Sequence, residues 1–283
     1  MKAKYLSLGM LFSLLLAACG GTGQVETLIP VSEKALGDTS SVFYADFASY
    51  PVERSHLPIG VFDSGTGGLT VQEKLLTLDE FDNITGKQSP DGIPDFAGEN
   101  FVYLADDANM PYGDYDAAGK SDYLRELVVK DALFLLGDSY YNLALDEKPY
   151  GKKEQVKILV IACNTATAYG LGDIEKLLGR SGTGVKVIGV INAGVRATLA
   201  DMDPAKNYAV GVMATPGTIS SGAYARTFKE MAAEQGFQGE IQVVNQPALG
   251  FANAVDGIED YVKPGIVLPR DEYRGPKLGN QEG

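Results

Sequence analysis

An α/β fold built on a parallel sheet is what this 283-residue sequence predicts, and three observations predict it. Short apolar runs of buried-strand type recur along the chain. A turn follows each run directly, and a stretch with helical spacing of its apolar residues usually comes next. Strands alternating with helices imply parallel pairing and right-handed crossovers, hence a three-layer α/β arrangement. Composition agrees with a globular protein, at 45% hydrophobic and 22% charged residues.

Leu57 to Phe62 is the first buried-type run; Asp63-Ser64-Gly65-Thr66-Gly67-Gly68 turns the chain, and Leu69 to Leu78 has helical periodicity. Residues 79–99 look like a surface insertion. Phe101 to Ala105 is the second strand, leading into the loop at 106–113. Residues 119–146 read as one long amphipathic helix, with Leu124, Leu127, Val128, Ala132, Leu135 and Leu136 at helical spacing. Val156 to Ala162 and Thr165 to Leu178 form the next strand and helix. Val185 to Ile191 is a strand before a helix at about 194–202, and Tyr208 to Met213 precedes a helix at about 218–235. Glu240 to Val244 is the last strand expected. Residues 264–283, rich in Gly, Pro and charge, show no placeable element.

The N-terminus reads differently. Lys2 and Lys4 form a short basic region, and residues 5–18 are almost wholly apolar or small, too short for a spanning helix and suited to an export signal. The stretch ends Leu16-Ala17-Ala18-Cys19-Gly20, which resembles a bacterial lipobox with Cys19 as the lipidated residue. The expected location is therefore the cell envelope, with the protein anchored in a membrane through Cys19 and facing the periplasm or the exterior. The expected organisation is a lipoprotein-type signal peptide at 1–18 and a tether at 19–57, the latter ordered late by packing of Val42, Phe43, Tyr44 and Phe47. A first α/β lobe at 58–192, a partial second lobe at 193–263 and an irregular tail or broken insertion at 264–283 follow.

Cleavage after residue 18 removes Lys2 and Lys4 and no acid, taking the formal charge from −13 to −15. So acidic a chain argues against nucleic acid as a partner. Cys19 and Cys163 are the two cysteines, so lipidation of the first leaves the second as a free thiol with no intramolecular disulfide open to it.

In parallel α/β sheets ligands bind beyond the carboxyl ends of the strands. Four polar or glycine-rich loops fall there, at 63–68, 106–113, 163–167 and 214–218, and their convergence on one crevice carries more weight than any one of them. Asp63 and Ser64 offer a carboxylate and a hydroxyl, although either could simply cap the following helix. The Gly-Thr-Gly-Gly run lacks the Lys-Ser/Thr of a phosphate loop and the spacing of a dinucleotide fingerprint. Cys163, in VKILVIACNTATA at 156–168, sits between a strand and a helix start, where the dipole and free N–H groups favour a thiolate. A buried structural cysteine is the competing reading. His56 is the sole histidine and precedes the first strand, so no Cys-His dyad is evident; no cluster has metal-site spacing.

Taken in order, IGVFDSGTGGLTV (59–71), Pro111-Tyr112-Gly113, VIACNTATA (160–168), VIGVINAG (187–194) and VGVMATPGTISSGAY (210–224) resemble glutamate racemase, of the aspartate/glutamate racemase superfamily. The resemblance runs from about residue 58 to about 257. It implies two pseudo-symmetric lobes with the active site between them, an acidic amino acid as substrate, no cofactor and no metal. A homodimer is a candidate assembly. Two cysteines on opposite sides of the α-carbon act as base and acid in the family, and the resemblance makes Cys163 one of them, assisted by Asp63. It places Asp63 and Ser64 at the substrate amine. Tyr112, Gly113, Asn164 and Thr165 fall at the carboxylate end, with Thr215 and Thr218 contributed by the second lobe. The family ordinarily serves peptidoglycan synthesis in the cytoplasm, whereas the leader here directs the chain to the cell wall side of the membrane.

Two features depart from the family pattern. No cysteine follows Cys163, and Asn192-Ala193-Gly194 stands where the family usually has Glu-Pro-Gly. The second lobe is expected to be incomplete and the chain to be a fragment carrying half of a catalytic pair. A single-thiol decarboxylase or proton-transfer relative, and a non-catalytic lipid-anchored amino-acid-binding protein, are the alternative functions.

Overall fold

The computed structural model describes residues 27–142 and 149–255. The leader, Cys19 and the tail at 264–283 lie outside the described residues. The chain enters through α1 (Pro30–Gly37), which begins on the fixed backbone of Pro30. β1 (Ile59–Asp63) leads into α2 (Gly68–Thr77), and β2 (Phe101–Ala105) is followed by α3 (Ser121–Leu136). A two-residue antiparallel pair, β3 (Ser139–Tyr140) with β4 (Gly151–Lys152), comes next. β5 (Ile158–Ile161) leads into α4 (Asn164–Ser181), and β6 (Lys186–Gly189) into α5 (Val190–Ala200). β7 (Tyr208–Ala214), α6 (Pro216–Ser220), α7 (Ala223–Glu234), β8 (Ile241–Pro247) and α8 (Phe251–Val255) complete the described chain.

The main sheet is parallel in the order β2-β1-β5-β6. Ile59 of β1 pairs with Phe101 on one side and Ile158 on the other. All five residues of β1 are buried, as a central strand covered on both faces must be. Ile59 and Val61 pack with Val71 and Leu75 of α2 and with Phe96, while Phe62 packs in the larger cluster formed with α1, α3 and α4. The second, smaller unit pairs β7 with β8 in parallel and covers them with α5 and α7 through Ile191, Leu199, Phe228 and Met231.

The segment at 79–99 is a largely exposed loop, and Asp79, Asp82, Asp91 and Asp95 fold it by accepting backbone N–H groups. Part of the expected tether is instead core. Leu28, Val31, Ala35, Phe47, Tyr50 and Leu57 are buried, α1 packs on α3 and α4, and the Tyr50 hydroxyl donates to the Val156 carbonyl at 2.9 Å. Of the four residues expected to order it, Phe47 is buried and Phe43 packs against the core, but Val42 and Tyr44 are exposed.

Three helix boundaries also differ. The helix expected over 119–146 stops at Leu136, because the Gly137 N–H closes onto Leu133 and the Lys153 ammonium takes up the carbonyls of Leu135 and Gly137. Its expected end at 146 falls outside the described residues. The helix after β6 begins at Val190 rather than 194: pairing with β5 ends at Gly189, and Ile191, Val195 and Leu199 form one buried helical stripe. The helix expected over 218–235 is two, broken where Gly222 adopts φ +65°.

Candidate active site

β1 is the strand at which the sheet changes direction: the chain goes from β1 outward to β2, then returns to place β5 on the other flank. Loops leaving β1 and β5 therefore diverge to opposite faces and leave a crevice at their carboxyl ends. Asp63 ends β1 with Ser64 next to it, and Cys163 stands just past β5 after Ala162. They line a cleft of about 370 Å³ together with Gly65, Gly113, Asn164 and Thr215.

The Asp63 carboxylate is buried and accepts the Gly68 N–H at 2.7 Å, so it holds the first turn of α2 while facing the cleft. One position thus both holds the start of α2 and lines the cleft. Gly68 permits the approach, since a Cβ there would lie 2.6 Å from the Asp63 Cβ and 2.9 Å from the Ala162 Cβ.

Cys163 is the N-cap of α4, and its sulfur accepts the Ala166 N–H at 3.3 Å. The Ser64 hydroxyl lies 3.5 Å from the same sulfur. The helix-start contact expected from sequence is present, but its expected consequence is reversed. Burial first, and the Asp63 charge second, push the Cys163 thiol up to about 11 against the opposing hydrogen bonds from Ser64 and Ala166. Desolvation of a residue that is 7% exposed outweighs the opposing hydrogen bonds, which favours the neutral thiol.

The Tyr112 side chain is held by two carboxyls. It borders the cleft, but its hydroxyl is committed to Asp106 and Asp131, at 2.5 and 2.8 Å. Its part is to fix the loop that presents Gly113. Gly113 meets the second unit closely: a Cβ on Gly217 would fall 2.6 Å from the Gly113 carbonyl oxygen. Three threonine hydroxyls tie the same junction. Thr165 lies 2.9 Å from Thr218 and 3.2 Å from Thr215, and Thr215 donates to Thr218 at 3.0 Å. Thr218 is 1% exposed and is not among the residues lining the cleft, and its hydroxyl meets those of Thr165 and Thr215 behind the cleft wall.

Eight of the nine site residues expected from sequence border one cleft: Asp63, Ser64, Tyr112, Gly113, Cys163, Asn164, Thr165 and Thr215. All four expected loops contribute to it. His56 is exposed and apart from it. Sequence reasoning missed Ala248, Phe251, Ala252, Asn253 and Val255, which close one side. Their signal was positional, since they follow the carboxyl end of a strand, but polar Asn245 and Gln246 hid that strand's last turn toward the cleft. Also missed was Tyr224, whose hydroxyl donates to the Asn164 carboxamide oxygen at 2.7 Å and leaves the amide N–H₂ group as Asn164's free donor.

Comparison with known proteins bears on what such a cleft does. The chain is 34% identical over 177 residues to an enzyme of Syntrophus aciditrophicus (strain SB), covering 62% of this chain and 49% of that one. It is 35% identical over 176 residues to one from Oceanobacillus iheyensis, covering 62% and 48%, and 31% identical over 212 residues to one from Limosilactobacillus fermentum, covering 72% and 61%. All three are named glutamate racemase. The similarity is to glutamate racemases. The chain spans about half the length of the first of these relatives. Among solved structures, glutamate racemase isoform RacE1 from Bacillus anthracis is 24% identical with a TM-score of 0.47, covering 74% of this chain and 62% of that one. No protein-family model matches the chain.

Proposed function

We propose that the cleft binds an acidic amino acid, glutamate foremost, and that Cys163 exchanges a proton with its α-carbon from one face. The observation that carries this reading is the buried Cys163 thiol beside Ser64 and Asp63 at the sheet's switch point, in a chain similar to glutamate racemases. Asp63 takes the substrate ammonium with Ser64. Asn164, Thr165 and Thr215 with the Gly113 backbone hold the carboxylate end, and Cys163 fronts the α-carbon.

The α-proton of an amino acid is a weak acid, so the partner group must be close, desolvated and matched in pKa. Burial and the Asp63 charge favour the protonated thiol, which is the state of a proton donor. A substrate ammonium set against Asp63 offsets the charge that raises the thiol, and so brings the thiolate within reach. Asp63 therefore has two parts, binding the amine and setting the Cys163 proton affinity. Inversion requires a second proton-transfer group on the opposite face, and among the described residues Cys163 is the one cysteine at this cleft. This chain by itself is thus expected to exchange the α-proton without racemising. The reaction class proposed for the cleft is that of a cofactor-independent glutamate racemase-type isomerase.

Titration with L- and D-glutamate tests the binding half of this reading. Saturable protection of Cys163 from alkylation, with a rise in thermal stability, is the expected result; a ligand at about 100 times its Kd adds about 2.7 kcal/mol. No protection by either enantiomer would contradict it. Stabilisation that survives Cys163→Ser, with no α-proton exchange in the unaltered chain, would establish the binding-protein alternative.

The envelope location is a separate proposal, supported by the basic start, the apolar run to residue 18 and Cys19-Gly20. Labelled palmitate is expected to enter the protein in a bacterial host and to be lost in Cys19→Ala. Equal labelling of both would count against the anchor.

A further inference from the structure

The Tyr112 hydroxyl poses a proton-counting problem that the amino-acid reading does not address. Its oxygen is 2.5 Å from Asp106 Oδ2 and 2.8 Å from Asp131 Oδ2, both hydrogen-bonding distances. A phenol has one proton and can donate to only one of them. The other contact joins two oxygens and needs a proton from the carboxyl side. Asp106 is partly exposed, and both its oxygens accept from the Asn109 amide at 2.8 and 3.0 Å, which suits an ionised acceptor. Asp131 sits on α3 among buried Val128, Ala132 and Leu135 and is itself 9% exposed. Among the described residues no lysine, arginine or histidine pairs with either carboxyl.

We propose that Asp131 is a positioning residue whose carboxyl stays protonated in the folded protein. Its proton goes to the Tyr112 oxygen, Tyr112 donates onward to Asp106, and the Pro111–Asp114 loop is thereby locked at the cleft rim. Each donor then has one acceptor, and no covalent bond changes. The lock matters because this loop and its continuation are where the second unit rests: Gly113 abuts Gly217 and Thr215, and Asp116 accepts the Ser220 hydroxyl at 2.7 Å. Burial, then the Asp106 charge, push Asp131 up to about 8, with the Tyr112 hydrogen bond opposing. Asp106 and Tyr112 are the titratable groups facing it from the loop, with Tyr115 edge-on to the Tyr112 ring. α1, α4, β1 and β2 contribute no charged hydrogen-bond partner to it among the described residues.

A carboxyl raised on folding contributes stability that is fully present below its unfolded value and is lost as pH rises through its folded value. For Asp131 that window runs from about 4 to about 8. Thermal unfolding of the full chain and of Asp131→Asn, followed from pH 5 to pH 9, is the test. Asparagine keeps a donor for the Tyr112 oxygen but cannot ionise. The unaltered chain should lose several degrees relative to Asp131→Asn across that range, and parallel curves would overturn the proposal. A second reading guards against a variant that fails to fold. The infrared band of a protonated carboxyl, present in the unaltered chain near pH 6, should fade by pH 9. Its absence near pH 6 would overturn the proposal equally. Neither reading depends on what the cleft binds.

Discussion

Cys163 shows how one position can satisfy a sequence rule and still reverse its consequence. The sequence places a thiol at a helix start, and the sulfur does take the Ala166 N–H. What the chain could not disclose is that the same sulfur lies in the core near the Asp63 carboxylate, where both effects favour the neutral thiol. Alkylation of Cys163 in the unliganded protein is therefore expected to be slow at pH 7 and still accelerating at pH 9.5. A plateau by pH 8 would show a thiolate instead. Asp63→Asn removes the second cause of the shift while leaving an oxygen for the Gly68 N–H. It should speed alkylation at pH 8 by roughly threefold to tenfold, since each unit of thiol pKa is tenfold in thiolate population. Unchanged kinetics would remove Asp63 from that role. Asp63, Ser64, Asn164 and Thr165 were legible as candidate site residues because each lies in a polar run at the carboxyl end of an apolar strand. Asp131 was not, because nothing in its helical spacing tells a buried carboxyl from a solvent-facing one.

At the scale of elements, the strands of the two parallel sheets and their order of appearance could be read from apolar runs, whereas the short β3–β4 pair and the element boundaries could not. α3 ends where a lysine 17 residues away in sequence, Lys153, caps it, a tertiary contact with no local signal. α1 was missed for another reason: Val31 and Ala35 give an eight-residue helix too short a stripe to show periodicity, yet it is held by the core. Tyr50→Phe tests whether this N-terminal segment belongs to the fold. It leaves the Val156 carbonyl without its partner and should cost roughly 1–2 kcal/mol in denaturant unfolding. No loss would make the segment an accessory. The α3–α4 contact gives a second test. Gly170 allows the close approach, for a Cβ there would stand 2.2 Å from Val128 Cγ1. Gly170→Ala should destabilise by about 1–3 kcal/mol, and Val128→Ala in the same chain should recover part of it. The bidentate pair between Arg125 and Asp173 spans the same two helices and holds them in register.

For the whole molecule, the cleft is lined from both parallel α/β units. The four-stranded sheet supplies Asp63, Ser64, Cys163 and the Tyr112 loop; the smaller β7–β8 unit supplies Thr215 and, through α8, Phe251 and Asn253. Convergence of the four loops was legible in the sequence because parallel strands put all their carboxyl ends on one edge. The contribution of α8 was not, since it depends on how the second unit packs back over that edge. The central claim is that one thiol faces one side of a bound amino acid. Proton NMR of L- and D-glutamate incubated with the chain in deuterated buffer tests it most directly. The account predicts loss of the α-proton signal from one enantiomer without formation of the other, abolished in Cys163→Ala. Interconversion of the enantiomers that depends on Cys163, or exchange that persists in Cys163→Ala, would contradict it.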